Sequence, residues 1–287
     1  MDWLKHGASW PHREHSKFVV CDQTRWHMQK MGDGPDLLLL HGSGATTHSY
    51  AGLMPLLAKE FTVTAIDLPG HGFSSPLGSG QPTLKRVGEA VAALMQQEAM
   101  QPELIVGHSA GAAIAVQMVA KCGLTPKKLV SINGAFYPFP GLAGSVFPMA
   151  AKLLFLNPFV PKLFSFSADY FGRVESLIDA TGSKLSSEGL SFYEKAMSSS
   201  DHVEGALALM AHWDLEPMAS QIAALDIPML QIIGLADGTI SPSAARDTQR
   251  LLKHGSRKDF VGKGHLVHEE LPEDVAETIL EFSLANS

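Results

Sequence analysis

Charge is scarce in this sequence. Asp, Glu, Lys and Arg make up 18% of its 287 residues, against roughly 25% in an ordinary soluble domain. Acidic residues number 29 and basic ones 22, a formal net charge of −7, with no Lys/Arg cluster against that balance. Nucleic-acid binders draw much of their affinity from a basic face that releases phosphate counterions, so nucleic acid is not an expected partner. Cysteine is nearly absent. Cys21 and Cys122 stand far apart, without CxxC or Cys/His pairing, which supplies neither a disulfide framework nor a zinc site and suits a reducing compartment. A clean membrane span is missing too. Residues 129–151 are uncharged, but Asn133, Gly134, Pro138, Pro140, Gly141, Gly144 and Pro148 would break a helix there repeatedly. The first 17 positions hold polar residues throughout and no apolar core of a secretory signal. The expected location is cytoplasmic.

What is present is apolar material in short runs. Hydrophobic residues supply 45% of the chain, enough at this length to bury a core without disulfides or metal. Strands are predicted at 18–22, 24–29, 36–40, 61–67, 103–106, 128–132, 227–233 and 258–261. Helices are predicted at about 48–59, 83–100, 112–121, 242–253 and 273–285. Strands alternating with helices imply α/β architecture, a mostly parallel eight-stranded sheet with helices on both faces. The alternation stops near Asn133 and resumes at Ile227. Residues 1–133 and 222–287 therefore read as one α/β domain, and 134–221 as a helical insertion.

Gly107-His108-Ser109-Ala110-Gly111 fits G-x-S-x-G between a buried strand and a helix. The turn is tight enough to need glycine on either side, and it lifts the serine hydroxyl above the sheet. Serine needs a base. His265, in Gly262-Lys263-Gly264-His265 after the last strand, is the candidate. His268 is the rival, but it would lie inside or beyond the turn, as a helix-start or lid contact. His108 is expected to point away from the serine and pack under the site. The base needs an acid, and Asp237 follows the strand that ends near Ile233. Asp226 and Asp214 precede that strand, and the other acid position holds Asn133-Gly134. The oxyanion donors expected are the backbone N–H groups of Ala110 and of Ser43, in the turn His41-Gly42-Ser43-Gly44.

With these residues in place the chain resembles the α/β-hydrolase superfamily over almost its whole length. The resemblance rests on His41-Gly42-Ser43-Gly44, Asp67-Leu68-Pro69-Gly70-His71-Gly72-Phe73-Ser74, Gly107-His108-Ser109-Ala110-Gly111, Asp237 and Gly264-His265. It implies the α/β-hydrolase fold with an inserted helical cap roofing the serine. A serine nucleophile departs from the haloalkane dehalogenases and epoxide hydrolases, which use aspartate. A closer resemblance is to the magnesium-chelatase accessory proteins of bacteriochlorophyll biosynthesis. Trp10-Pro11-His12-Arg13-Glu14, Trp26-His27, Leu156-Asn157-Pro158, His212-Trp213-Asp214-Leu215 and the segment from Gly262 through Glu270 carry it. It implies a protein of phototrophic bacteria acting around magnesium insertion into protoporphyrin, without naming a reaction.

From 134 to 167 the only charges are Lys152 and Lys162, among Phe136, Tyr137, Phe139, Phe147, Phe155, Phe159, Phe164 and Phe166. This is an apolar cap core, an apolar pocket, or a lip offering peripheral membrane contact. A flat tetrapyrrole would stack well on such side chains. Of 13 histidines, six precede position 50. His6, His12 and His15 match no compact metal-ligand spacing and read as scattered surface residues. His202 and His212 are the candidate axial ligands should a metallated tetrapyrrole bind. The expected activity is ester hydrolysis on an apolar or tetrapyrrole-type substrate, with no cofactor and no metal. C–C bond hydrolysis and perhydrolysis use the same triad. A porphyrin-binding or assembly factor associating with magnesium chelatase subunits is the alternative.

Overall fold

The computed structural model describes residues 1–138 and 170–285. Eight strands form one sheet: β1 (Ser16–Cys21), β2 (Thr24–Met31), β3 (Asp36–Leu40), β4 (Thr62–Ile66), β5 (Leu104–His108), β6 (Lys128–Ile132), β7 (Met229–Gly234) and β8 (Gly255–Phe260). Their order is β1-β2-β4-β3-β5-β6-β7-β8. β2 runs antiparallel to β1 and β4, and every other pair is parallel. The helices described are α1 (Trp3–His6), α2 (Met54–Leu57), α3 (Leu84–Gln97), α4 (Ala110–Lys121), α5 (Tyr170–Ala180), α6 (Ser187–Met197), α7 (Ser200–Ala211), α8 (Met218–Ala224), α9 (Pro242–Leu251), α10 (Val267–Glu270) and α11 (Pro272–Leu284).

The run Leu37-Leu38-Leu39-Leu40 shows why β3 is central. Successive side chains point to opposite faces. Leu38 and Leu40 join a core with α3 and α4, while Leu37 and Leu39 join a second core with α2 and α11. All four are fully buried, as expected of a strand covered on both sides. Strand order reverses direction around β3, which lies between β4 and β5. In an open parallel sheet the crevice at the strands' carboxyl ends, where the order reverses, is where ligands bind.

One expected helix does not form as read. Residues 48–59 divide into a 3₁₀ turn, Thr47–Tyr50, and the short α2. The Tyr50 hydroxyl donates to Leu40 O at 2.8 Å, which draws the first turn onto β3. Pro55, at the start of α2, suits a new helix start because its missing N–H would have no helical partner there.

α5 to α8 lie between β6 and β7. α5, α6 and α7 pack in succession, and α8 packs against α4. Phe136 is buried and Tyr137 half-buried against the α3–α4 core. The other aromatic residues of the charge-poor stretch, Phe139, Phe147, Phe155, Phe159, Phe164 and Phe166, lie outside the described residues. Among the described residues no helix is long and apolar enough to cross a membrane.

α7 lies directly on the loop that follows β4. A Cβ added at Gly205 would sit 2.0 Å from Gly70 O, so backbone meets backbone there. Replacing glycine by alanine inside a helix ordinarily stabilises by about 1 kcal/mol. Gly205→Ala should invert that sign and destabilise by about 1–3 kcal/mol through overpacking. Urea unfolding of the two proteins measures it, and a more stable variant would show that α7 does not rest on Gly70.

Candidate active site

A one-residue turn sets the site. β5 ends at His108 and α4 begins at Ala110, leaving Ser109 alone to reverse the chain at φ 50°, ψ −114°. A non-glycine residue with such a φ is strained, by on the order of 1–3 kcal/mol. Neighbours on both sides must lack side chains. A Cβ at Gly107 would lie 2.5 Å from Ala112 N, and one at Gly111 would lie 2.0 Å from Leu40 O. Ser109 N–H donates to Ile132 O at 2.9 Å, and Ser109 O accepts from Ala112 N and Ala135 N, each at 3.1 Å. The serine backbone is thus fixed from three sides.

Asp237 and His265 meet above the ends of β7 and β8. His265 Nδ1–H donates to Asp237 Oδ2 at 2.7 Å. The other oxygen, Oδ1, accepts from Thr239 N at 2.7 Å and Ile240 N at 2.8 Å. With Nδ1 protonated towards the carboxylate, Nε2 is the nitrogen free to take a proton.

Two supports of this pair were not read from the sequence. Asn133 Nδ2 donates to His265 O at 2.8 Å and Gly264 O at 3.0 Å, while its Oδ1 accepts from Gly234 N at 2.9 Å. One amide therefore joins the end of β7 to the histidine loop. The only clue in sequence is an amide where an acid would otherwise fit. The second support is residues 181–183, which follow α5. Thr181 O accepts from Gly238 N at 3.0 Å and His265 N at 3.1 Å, and Ser183 Oγ accepts from Leu266 N at 2.8 Å. Gly182, at φ +78°, leaves no room for a side chain: a Cβ would lie 1.9 Å from Ala236 O. The inserted segment is wedged between the aspartate loop and the histidine loop.

His108 and His268 form the floor. His108 Nε2–H donates to His265 O at 3.0 Å, and its ring lies 4.7 Å from His265 and 4.5 Å from His268. His268 is fully buried in α10 against Tyr50. It lies in the first turn of that helix, which is one of its two expected roles. Beside it, burial pushes the Glu269 carboxyl up to about 8, and Glu269 Oε1 accepts from Tyr193 OH of α6 at 2.6 Å.

Gly42, next to Ser43, and Ala110 both border the serine. A Cβ on Gly42 would come within 3.1 Å of Ser109 Cβ, so glycine there permits the close approach. Ala110 opens α4, and its N–H has no partner within the helix. Beneath this loop lies Asp67, fully buried, whose carboxylate accepts from Thr47 N at 2.7 Å, Phe73 N at 2.9 Å and His27 Nδ1 at 2.8 Å. Burial alone would raise its pKa, but His27 and these donors hold it well below the usual carboxylate range.

The histidines before position 50 are not all surface residues. His27, His41 and His48 are buried, alongside His71, His108, His202 and His268. His202 cannot serve as an axial ligand in this arrangement, because Nδ1 accepts from Gly72 N at 3.0 Å and Nε2–H donates to Gly44 O at 3.1 Å. His212 Nδ1–H donates to Ala208 O at 2.8 Å. Among the described residues no group of His, Cys, Asp and Glu could hold a metal ion.

Burial keeps six of the imidazoles neutral, those of His41, His48, His71, His108, His202 and His268. It lowers His202 to about 4 and both His48 and His268 to about 3, and it also lowers His41, His71 and His108. An unfolded chain protonates its histidines near pH 6.5. Below that pH the unfolded state binds protons that the folded state refuses, so stability falls with acidification, by up to about 1.4 kcal/mol per pH unit for each histidine. The window runs from about pH 6.5 down to the folded-state values near 4 and 3. Glu269, with its raised pKa, opposes with a single proton between about 4.5 and 8. The urea midpoint is therefore expected to drop steeply between pH 6.5 and 4.5. A flat profile would mean that these histidines are not buried and neutral.

Residues 35–272 match the family model for the alpha/beta hydrolase fold. The magnesium-chelatase 30 kDa subunit of Rhodobacter capsulatus is 34% identical over 278 residues, which cover 96% of this chain and 96% of that protein. A pimeloyl-(acyl-carrier protein) methyl ester esterase of Vibrio vulnificus is 26% identical over 267 residues, covering 91% of this chain and 98% of the esterase. Among solved structures, an alpha/beta hydrolase fold protein from Burkholderia ambifaria aligns with a TM-score of 0.78 at 20% identity, over 92% of this chain and 97% of that one. That last likeness concerns the fold alone. The chain belongs to the α/β-hydrolase superfamily and, within it, to the family of the magnesium-chelatase 30 kDa subunit.

Proposed function

We propose that the protein is a serine hydrolase with Ser109 as nucleophile, His265 as general base and acid, and Asp237 as the group that orients His265. The observation carrying this reading is the 2.7 Å hydrogen bond from His265 Nδ1–H to Asp237 Oδ2, together with a serine held in a strained turn whose neighbour His108 bonds His265 O. In the first half-reaction, Ser109 Oγ attacks the ester carbonyl while Nε2 of His265 takes the hydroxyl proton. Asp237 stabilises the imidazolium that forms. Backbone N–H groups of Ser43 and Ala110 receive the oxyanion. Collapse of the tetrahedral intermediate expels the alcohol, protonated by His265, and water then releases the acid by the same route in reverse.

The substrate class proposed is an ester of an apolar or tetrapyrrole-related molecule in bacteriochlorophyll biosynthesis. A relative named for a methyl ester esterase supports ester chemistry, and one named for magnesium chelatase supports the tetrapyrrole setting. The proposed arrangement is a catalytic domain of residues 1–133 and 222–287 under a cap of 134–221, acting in the cytoplasm, with peripheral membrane contact through the cap. The name of that chelatase relative also favours a second reading, a porphyrin-binding or assembly factor that associates with the chelatase subunits.

A fluorophosphonate probe distinguishes the two. Labelling should occur at Ser109 and vanish in Ser109→Ala. Turnover of p-nitrophenyl and porphyrin methyl esters should fall about 10⁴-fold in Asp237→Asn, as when a triad histidine loses its orienting carboxylate. A folded protein that neither labels nor hydrolyses any ester of the panel would leave the assembly-factor reading standing.

A further inference from the structure

The loop that supplies Ser43 is held from above by the inserted helices. Its backbone is fixed at two carbonyls. Gly42 O accepts from His41 Nδ1–H at 2.7 Å and from Ala45 N–H at 3.1 Å. Gly44 O accepts from His202 Nε2–H at 3.1 Å. A trans peptide points its C=O and its N–H in opposite directions. Fixing Gly44 O therefore fixes Ala45 N–H, and Ala45 N–H helps fix Gly42 O. Gly42 O in turn sets the direction of Ser43 N–H.

His202 is suited to this task by burial and by having both nitrogens occupied. It is fully buried on α7, and its ring packs edge-on against His71 at 5.4 Å. Nδ1 accepts from Gly72 N–H at 3.0 Å, so the single ring proton sits on Nε2 and is directed at Gly44 O. Nearby, Ser43 Oγ donates to Ala206 O of the same helix at 3.4 Å, and Gly205 abuts Gly70. α7 thus touches both loops that frame the carboxyl end of β3.

We propose that His202 is a positioning residue through which α7 sets the direction of the Ser43 N–H, so that the oxyanion hole is complete only while the inserted helices are seated. The proposal rests on the serine-hydrolase reading for its catalytic consequence, but the coupling of α7 to the loop is measurable without turnover.

Two substitutions separate the two bonds of the imidazole. In His202→Asn the amide oxygen takes the place of Nδ1 and can still accept from Gly72 N–H, but the side chain is too short to reach Gly44 O. In His202→Gln the amide reaches Gly44 O while its oxygen faces Gly72 N–H. In the full-length protein, His202→Asn should speed amide exchange at Ala45 about tenfold, as expected when one hydrogen bond's protection is lost. It should lower kcat on p-nitrophenyl butyrate by about 10–100-fold, below the loss from deleting an oxyanion donor outright, with KM changed by no more than roughly threefold. His202→Gln should restore both. Wild-type Ala45 exchange in His202→Asn would overturn the proposal. So would equal losses in both variants with a lowered melting temperature, since that would make His202 merely structural. If the wild-type protein neither labels nor turns over, the hydrolase reading fails, and the Ala45 exchange alone decides whether α7 holds the loop.

Discussion

Everything at the site follows from the reversal of the chain at Ser109. A strand must hand over to a helix within one residue, and the helix must then lie close against β3 and β5. Gly107 and Gly111 make that approach possible, because neither has space for a Cβ. The strained φ of 50° at Ser109 is held by hydrogen bonds to Ile132, Ala112 and Ala135. With the serine fixed, the positions of the other groups are constrained. Gly42, after β3, comes close to Ser109 Cβ, and His108 Nε2, beside the serine, bonds His265 O after β8.

The low share of charge has a counterpart in the interior, where neutral imidazoles do what charged pairs do elsewhere. A buried charge costs several kcal/mol unless it is well partnered. Asp67 is partnered, by His27 and two backbone N–H groups. Neutral histidine offers one donor and one acceptor on a rigid ring, so it can join two backbone segments without a net charge. His41 donates to Gly42 O and accepts from Leu68 N, and His202 joins Gly44 to Gly72 in the same way. The two rings bind the same pair of loops from the sheet side and from the insertion side.

Much of this was legible in sequence, for physical reasons that differ from element to element. The central strands β3, β5, β6 and β7 announce themselves because strands covered on both faces are buried along almost their whole length. Ser109, Asp237 and His265 are legible because each stands directly after a predicted strand, where a parallel sheet gathers its loops. Asn133 and Thr181 were not legible. Asn133 works through a side-chain amide directed at backbone groups, for which an amide at an acid position is a clue but not a role, and Thr181 works through its own carbonyl, which carries no residue-type signal. The break within 48–59 was missed because amphipathic spacing continues across it, while the bond from Tyr50 to Leu40 that bends the chain is tertiary. The burial of His108 is legible from its place beside the serine, but that of His41 and His202 is not: a histidine satisfied by two backbone groups looks, in sequence, like one satisfied by water.

The supports of the site come largely from the insertion, and this limits how independent the two parts can be. Thr181 joins the aspartate loop to the histidine loop, Tyr193 bonds the buried carboxyl of Glu269, and His202 bonds the loop bearing Ser43. These contacts leave from α5's end, α6 and α7, and they arrive at the aspartate and histidine loops, at α10 and at the loop bearing Ser43. A cap that only covered a finished site would leave those loops bonded to the sheet alone. Here part of the bonding is supplied from above, so the geometry around Ser109 is shared property of sheet and insertion. Displacing α5 to α7 would break these bonds, so the placing of the loops around Ser109 depends on how the inserted helices are seated.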